Sequence, residues 1–227
     1  MSPNGDMAVC ANDGSVTIRS SAAFDSTDFE ITKEIQDAGE WIEVAEFSPD
    51  GKYLAVGSHD TNIYIYDAEA DYALVGTCSK HNATITCIDW SQDSTIIRSV
   101  CNGYELLFFT IPDCQQDPNG ASNTTGTVWA SQHCKFGWTV DGLFPKGTDG
   151  SHINGVDASP DQSLIAAGDD YGLVQLFRNP CRKGCCPISL RGHSEHVVRV
   201  KFGRAGLEQY LFSVGGYDQT LFQWVRK

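Results

Sequence analysis

Long apolar runs are missing from this sequence. The longest of them, such as LLFF at 106–109, are far too short to cross a bilayer. The N-terminal MSPNGDMAVC has neither a basic segment nor an apolar stretch, so it does not resemble a secretory signal. These absences predict a cytoplasmic protein that does not enter a membrane.

Positive charge is also scarce. The chain has 16 Lys and Arg against 29 Asp and Glu, a net charge of −13. Nucleic-acid binders need cations for the phosphate backbone, so a nucleic-acid partner is not expected. The charge is uneven, because residues 178–227 hold nine basic and three acidic residues while residues 1–177 hold seven and 26. This asymmetry indicates either a face that meets a charged partner or simply solvated loops.

The motifs of nucleotide binding and catalysis are absent. Neither GxxxxGK[ST] nor GxGxxG occurs, so no cofactor is predicted. The neighbours Ser58, His59 and Asp60 have the residue types of a catalytic triad. Adjacent residues in one turn cannot point at one another as a nucleophile and its base must, so no enzyme is predicted.

Patterns typical of metal sites are weak. The nine cysteines are scattered, and Cys181, Cys185 and Cys186 lack the paired C-x2-C spacing of a zinc site. Reduced thiols acting as small hydrophobic side chains are the simpler interpretation. Four other residues could in principle gather as a metal site, but turn closure is the better explanation for them: Asp149, His152, Asp169 and Asp170.

What the sequence does have is a recurring β-hairpin. Each copy has small residues that close one strand, a turn with Asp, Asn or Gly, and an alternating strand that ends in a bulky residue. Copies begin at Met7, Leu54, Ile97, Ile165 and Leu211. A strand followed by a turn of the S-P-D-G type, as at 48–51, precedes several of them. Repeated antiparallel strands without helical periodicity predict an all-β propeller.

The unit from Gly192 to Trp224 resembles a WD repeat. In that family the residues at these places form a hydrogen-bonded His–Ser–Asp–Trp set that shapes the blade, here His193, Ser213, Asp218 and Trp224. The other units are degenerate. In the second unit the turn residue Asp60 is matched with Tyr66 in place of the tryptophan. In the third unit Gly103 replaces the turn Asp, and in the fourth Asp170 is followed by Phe177 in place of the tryptophan.

The strand pattern predicts about four and a half blades, with segments near 1–38, 39–80, 81–135, 136–191 and 192–227. The long gap between hairpins is explained by loop insertions at 112–126 and 137–151, with Thr127–Lys135 as a displaced outer strand. We expect the C-terminal part of a larger propeller, of about seven blades in this family, whose last strand comes from an earlier segment. Closure of five blades by pairing the incomplete ends is the alternative.

Four segments carry a narrower resemblance: EFSPDGKYLAVGSHDTNIYIYD, GWTVDGLFPKGTDGSHINGV, GDDYGLVQLFRNPC and GHSEHVVRV. They closely resemble the second propeller of the echinoderm microtubule-associated protein-like family. Residues 112–126 and CRKGCCP at 181–187 depart from the family pattern. The resemblance implies a non-enzymatic scaffold of the cytoskeleton or cilium that binds tubulin or microtubules. The family's trimerising coiled coil and basic N-terminal segment are not found here, so weak attachment is expected.

Several residues are candidates for contact with an acidic partner such as tubulin. The basic ones are Arg178, Arg182, Lys183, Arg191, Arg199, Lys201 and Arg204. Trp138, Phe144 and Tyr171 are candidate apolar anchors, although core or loop packing explains each of them as well. A generic WD adaptor in a signalling or ubiquitin-ligase complex is the alternative function.

Overall fold

The regular structure is almost entirely β, which confirms the predicted fold class. The computed structural model describes residues 1–20, 29–144, 151–204 and 206–226. The first strands are β1 (Met7–Cys10), β2 (Val16–Ser20), β3 (Glu30–Ile35), β4 (Ile42–Phe47), β5 (Tyr53–Ser58), β6 (Ile63–Asp67), β7 (Ala73–Cys78), β8 (Ile85–Trp90), β9 (Ile96–Cys101), β10 (Leu106–Thr110) and β11 (Gln115–Gln116). The remaining elements are helix α1 (Gly120–Asn123) and strands β12 (Ile153–Ala158), β13 (Leu164–Asp169), β14 (Leu173–Arg178), β15 (Ile188–Arg191), β16 (Val197–Phe202), β17 (Tyr210–Gly215) and β18 (Leu221–Val225).

Within the described residues, the strands form five small antiparallel sheets in two compact units. Unit 1, Met1–Ala130, holds the sheets β1-β2-β3, β4-β5-β6-β7 and β8-β9-β10-β11. Unit 2, Ser131–Lys227, holds the sheets β12-β13-β14-β15 and β16-β17-β18. Each sheet follows chain order and each falls within one of the five predicted blade segments. We therefore call the sheets blades 1 to 5.

Small residues close the second strand of a blade because a neighbouring blade packs against them. A Cβ on Gly57 would lie 2.6 Å from the side chain of Ile85, at the start of the next blade in unit 1. In unit 2, a Cβ on Gly168 would lie 2.6 Å from the side chain of Val197. The glycines of the repeated hairpin are thus required by close packing between blades.

Hydrophobic side chains between neighbouring blades build the core. In unit 1, Ile63 and Ile65 of blade 2 pack with Ile88 and Trp90 of blade 3, and all four are buried. In unit 2, Val174 of blade 4 joins a cluster of blade 5 side chains that includes Val200, Phe202 and Leu211. Each blade buries its apolar faces against another, which is the property expected of a repeat architecture.

The outer strand of blade 3 differs from the prediction. The fourth strand is β11, which lies inside the predicted insertion and pairs with β10. The predicted strand at 127–135 is instead irregular, with one bridge between Ser91 and Trp129. The indole of Trp129 packs against the Arg98 guanidinium, whose central carbon lies 4.2 Å from the ring centroid. The apolar side chain of Trp129 is therefore explained by packing against the blade and not by a strand position in the sheet.

The second predicted insertion is described up to residue 144 and from 151, and Pro145 lies outside the described residues. Val140 and Leu143 are fully buried in a cluster with Ile165 and Phe177 of blade 4. Backbone bonds join Gly142 N to Cys181 O at 2.9 Å and Cys181 N to Thr139 O at 2.8 Å. The insertion therefore covers blade 4, as its apolar content requires.

Within the described part of the chain, no helix is long and apolar enough to cross a bilayer.

Candidate functional site

The four predicted residues of the last blade form one hydrogen-bonded set. The Trp224 indole N–H donates to Ser213 Oγ at 2.8 Å, and His193 Nε2 lies 2.8 Å from the same oxygen. His193 Nδ1 lies 3.1 Å from Asp218 Oδ2 and 2.9 Å from Thr220 Oγ1. The set joins the segment before β16 to β17 and β18 through side chains.

Burial decides what this set can do. The His193 side chain and Ser213 are fully buried, and Phe222 packs edge-on against the imidazole with centroids 4.7 Å apart. Burial opposes ionisation of Asp218, but hydrogen bonds from Thr220, His193 and the Ser194 N–H lower the pKa of its carboxyl below the ordinary value. A buried, fully bonded hydroxyl cannot approach a substrate, so the geometry is that of a structural clamp.

Asp60 is hydrogen-bonded to Tyr64 and not to Tyr66, the tyrosine with which the sequence pattern paired it. Its carboxylate accepts a hydrogen bond from the Tyr64 hydroxyl at 2.8 Å and from the Asn62 N–H at 3.0 Å. Burial and Asp60 together raise the pKa of Tyr64 to about 12. Burial likewise raises the pKa of Tyr66, and the carboxylate that adds to this shift by a hydrogen bond is that of Asp37. Residues two apart in a strand point the same way, so the sequence did not separate these tyrosines.

The turn of blade 4 is closed by Asp169, one residue before the one predicted. Asp169 Oδ1 accepts the N–H groups of Tyr171 and Leu173, each at 2.9 Å, and Oδ2 accepts from Gln175 Nε2 at 2.8 Å. Asp170 instead accepts from Asn154 Nδ2 at 2.9 Å and is exposed. The assignment of Asp170 to the structural set is therefore corrected to Asp169.

The described residues that were discounted as a metal site or a triad make local contacts within their blades. Asp149 lies outside the described residues, and His152 stacks on Tyr171 with ring centroids 5.7 Å apart. Ser58 Oγ donates to the Glu40 carbonyl at 3.3 Å, while His59 faces Glu43 at 3.4 Å.

The sequence analysis missed a polar set in blade 3. His81 Nε2 lies 2.7 Å from Ser99 Oγ, and Cys101 and Glu105 adjoin the imidazole. The signal that could have found it is a His before the first strand together with a Ser in the second, the arrangement that His193 and Ser213 have in blade 5.

The seven basic residues predicted to contact a partner lie on different strands and loops. All seven are exposed. Arg178 ends β14, and Arg182 and Lys183 follow it in the loop to β15, whereas Arg191 lies at the opposite end of that sheet, paired with Leu173. Arg199 and Lys201 are on β16, the first strand of the last blade, and Arg204 follows it.

Two of these cations compensate a buried charge. Asp157 is fully buried and accepts the Phe202 N–H at 2.7 Å. Lys201 Nζ lies 3.8 Å and Arg204 Nη2 3.7 Å from its other oxygen. This arrangement gives them a structural use, because an uncompensated buried carboxylate is costly.

The loop after β14 places a cation beside an aromatic ring. The Arg182 guanidinium lies 5.6 Å from the centroid of Trp138, and its Nε is 3.4 Å from Asp141 Oδ1. The Trp138 side chain is 47% exposed. Phe144, by contrast, is partly buried and stacks on Phe136 with centroids 5.7 Å apart. We call Arg178, Arg182, Lys183 and Trp138 the basic loop surface.

Sequential antiparallel blades with a buried His–Ser–Asp–Trp clamp define a WD-repeat β-propeller protein. The family profile described as "Echinoderm microtubule-associated protein second beta-propeller" matches residues 1–226. The chain belongs to the echinoderm microtubule-associated protein family, as the sequence resemblance predicted.

Named relatives agree with this assignment. The chain is 56% identical over 224 residues to "Ciliary WD repeat-containing protein ctxp80" of Euplotoides octocarinatus, covering 99% of this chain and 30% of that protein. It is 38% identical over 205 residues to human "Echinoderm microtubule-associated protein-like 1", covering 88% and 25%. It is 40% identical over 193 residues to the "77 kDa echinoderm microtubule-associated protein" of Strongylocentrotus purpuratus, covering 83% and 28%. The chain thus spans less than a third of the length of these relatives.

A solved structure is similar in fold. A chain of "Crystal Structure of Mitotic Checkpoint Complex" superimposes with a TM-score of 0.57 at 14% identity, covering 97% of this chain and 58% of that chain. At this identity the likeness concerns the fold alone.

Proposed function

We propose that this chain is a non-enzymatic interaction scaffold, a WD-repeat portion of a microtubule-associated protein that binds tubulin or microtubules. The observation that carries the proposal is the family match along residues 1–226. The names of the relatives from sea urchin, human and a ciliate support a place on cytoskeletal or ciliary structures. In this proposal the five blades belong to a larger propeller, which supplies a rigid surface and no chemistry.

The basic loop surface is the proposed contact with tubulin. Its three cations follow one another closely in the chain, in a region of net positive charge within an otherwise acidic protein. Complementary charge raises the rate of encounter with an acidic partner and suppresses wrong orientations. The other predicted cations are less suitable, because Lys201 and Arg204 lie against Asp157 and Arg191 is at the far end of its sheet.

Charge alone is not expected to hold the complex. Exposed ion pairs contribute little each, and salt at physiological strength screens them beyond about 8 Å. Trp138 supplies an apolar anchor, since its half-exposed ring can be buried by a partner while Arg182 keeps its orientation. The proposed mode of binding is therefore electrostatic attraction followed by burial of one aromatic ring.

Co-sedimentation with microtubules tests this proposal. The triple variant Arg178→Glu, Arg182→Glu, Lys183→Glu is expected to raise the apparent Kd about tenfold, because three attractive contacts become repulsive. The matched control is Lys33→Glu, Lys52→Glu, Lys80→Glu, which changes the net charge equally within unit 1 and is expected to pellet as the wild type does.

Two outcomes would contradict the proposal at different levels. Equal pelleting of wild type and triple variant removes the basic loop surface but keeps microtubule binding. Failure of the wild-type protein to pellet at any salt concentration removes microtubule binding, and the adaptor function becomes the better explanation.

A further inference from the structure

Blade 3 carries a polar set that differs from the clamp of blade 5 in a coordinated way. Ser99 and Ser213 occupy the same place, since each sits opposite the second residue of the strand that follows. From this register, Cys101 stands where blade 5 has Gly215, and Gly103 stands where it has Asp218. Glu105 takes the place of Thr220, and Phe109 that of Trp224.

Sterics explain why these changes occur together. In blade 5, a Cβ on Gly215 would lie 1.8 Å from Asp218 Oδ1 and 2.6 Å from His193 Nδ1. A side chain is therefore forbidden there while the Asp is present. In blade 3 the Asp is replaced by Gly103, beside which Cys101 Sγ fits at an ordinary 3.4 Å from the ideal Cβ position. The space that the Asp side chain fills in blade 5 is filled in blade 3 by the Cys101 thiol and the Glu105 carboxylate.

The three side chains converge on one point. Nδ1 of His81, Sγ of Cys101 and a carboxylate oxygen of Glu105 all lie within 4.8 Å of one another. Glu105 Oε2 is 3.4 Å from His81 Nδ1 and 3.2 Å from Cys101 Sγ. A tetrahedral zinc ion with ordinary bond lengths separates its nitrogen, oxygen and sulfur ligands by about 3.3–3.6 Å. The two distances from Glu105 Oε2 are thus already close to the spacing of ligands around such an ion, and the third distance is at most 4.8 Å.

The histidine is prepared as a ligand. Its side chain is fully buried, and Nδ1 faces the thiol and the carboxylate, 3.4 Å from Glu105 Oε2, without a hydrogen bond of good geometry to any described residue. Phe109 replaces the tryptophan whose indole N–H occupies the serine of blade 5, so Ser99 Oγ can accept the Nε2–H of His81 at 2.7 Å. That bond leaves the lone pair on Nδ1, which is how an outer partner orients a metal-binding imidazole.

The carboxylate is also held from outside the group. Asn82 donates to Glu105 twice, from Nδ2 to Oε1 at 2.7 Å and from its backbone N–H to Oε2 at 3.0 Å. These two bonds hold the carboxylate in the orientation in which Oε2 faces the imidazole and the thiol. The Glu105 side chain is 29% exposed, which gives an ion a route from solvent to the two buried donors.

We propose that His81, Cys101 and Glu105 bind a zinc ion, with a fourth position open to water or to a partner's side chain. One imidazole, one thiolate and one carboxylate suit this borderline-soft cation. On binding, the Cys101 thiol loses its proton to solvent as the sulfur–zinc bond forms, and Glu105 exchanges the S–H hydrogen bond for a bond to the metal. The site links the segment before β8 to the β9–β10 turn, and all of its residues lie in unit 1. The basic loop surface lies in unit 2, so this proposal does not depend on the proposed function.

Cobalt(II) is the spectroscopic probe for this site. Titrating the chain with Co²⁺ is expected to produce a thiolate-to-cobalt charge-transfer band that saturates at one equivalent and disappears on addition of Zn²⁺. Cys101→Ser is expected to abolish the band and weaken binding by at least about 100-fold, more than loss of an outer partner does. Ser99→Ala is expected to keep the band and weaken binding by about 10- to 100-fold.

Two further variants keep the outcome decisive. The double variant Cys185→Ser, Cys186→Ser removes the accessible thiols of unit 2 and is expected to leave the titration unchanged. Glu105→Gln tests the site without removing a buried group, and thermal unfolding of each variant checks that it folds. The proposal is overturned if the wild type shows no saturable band, or if the band survives Cys101→Ser but is lost in the double variant.

Discussion

At the scale of single residues, buried polar groups stabilise the blades when they have hydrogen-bond partners. Ser213 illustrates this, because one hydroxyl meets both the Trp224 indole N–H and His193 Nε2, each at 2.8 Å. The hydroxyl contributes little by its own burial. Its value lies in satisfying two groups that would otherwise be buried without a partner.

Ser213→Ala is therefore expected to destabilise the chain by about 1–3 kcal/mol, the cost of leaving buried polar groups unsatisfied. Chemical denaturation measures the change. Ser194→Ala is the control, because Ser194 is exposed and contributes only its backbone N–H to Asp218, and we expect it to stay within about 0.5 kcal/mol of wild type. A loss in the Ser213 variant no larger than in the control would contradict the clamp.

At the scale of elements, one turn recurs between the first and second strands of three blades. A serine hydroxyl donates to an Asp two residues later, and the same Asp oxygen accepts a backbone N–H two residues after itself. The serine–aspartate distances are 2.5, 2.6 and 2.5 Å for Ser48–Asp50, Ser91–Asp93 and Ser159–Asp161. Only an ionised carboxylate accepts all of these bonds freely, so the turns couple strand pairing to pH.

Asp93 offers the clearest test of that coupling. Hydrogen bonds from Ser91 and Thr95 lower its pKa below the ordinary value of 3.8. A carboxyl whose pKa is lowered by folding adds stability that is present above its unfolded pKa and is lost as the pH falls through the folded value. Asp93→Asn is expected to destabilise the chain at pH 7 and to reduce the loss of stability as the pH falls below about 4.

Denaturation midpoints measured from pH 7 downwards make this comparison. Glu69→Gln, at an exposed position in another turn, is the matched control and is expected to leave the pH profile unchanged. Parallel profiles for wild type and Asp93→Asn would refute the role of the Asp93 charge.

At the scale of the whole molecule, stability is shared between neighbouring blades. Ile63 of blade 2 is fully buried in a cluster with Ile85, Ile88 and Phe109 of blade 3. Neither blade can bury this surface alone, so a cavity at the junction weakens both.

Ile63→Ala is accordingly expected to cost about 2–5 kcal/mol and to accelerate hydrogen exchange in strands of blade 3 as well as blade 2. Hydrogen-exchange mass spectrometry resolves the two sheets. Val128→Ala, at a site 66% exposed, serves as the control in the same unit. Faster exchange confined to blade 2 would show that the blades unfold independently.

The sequence predicted much of the fold because its signals are local. Alternating apolar residues and S-P-D turns specify hairpins wherever they occur, and the family resemblance was confirmed. The assignments that failed depend on small offsets. Asp170 and Asp169 are adjacent, and Tyr64 and Tyr66 project to the same side of β6, so composition could not choose between the members of either pair. The prediction of an outer strand at 127–135 was wrong because Trp129 is apolar for packing against Arg98 and not for a place in the sheet. The strand that does take the outer position, β11, is only two residues long and leaves little pattern in the sequence.

The sequence by itself determined the all-β class and the repeated hairpins, because both follow from side-chain types at fixed spacings, and its resemblance to WD repeats implied the His193 clamp. Only the tertiary structure decided that His81, Cys101 and Glu105 meet. Their spacing of 20 and four residues follows no ligand motif, and the approach depends on β9 and β10 pairing in one register. The tertiary structure likewise placed Lys201 and Arg204 against the buried carboxylate of Asp157, a contact that their positions in the chain do not reveal.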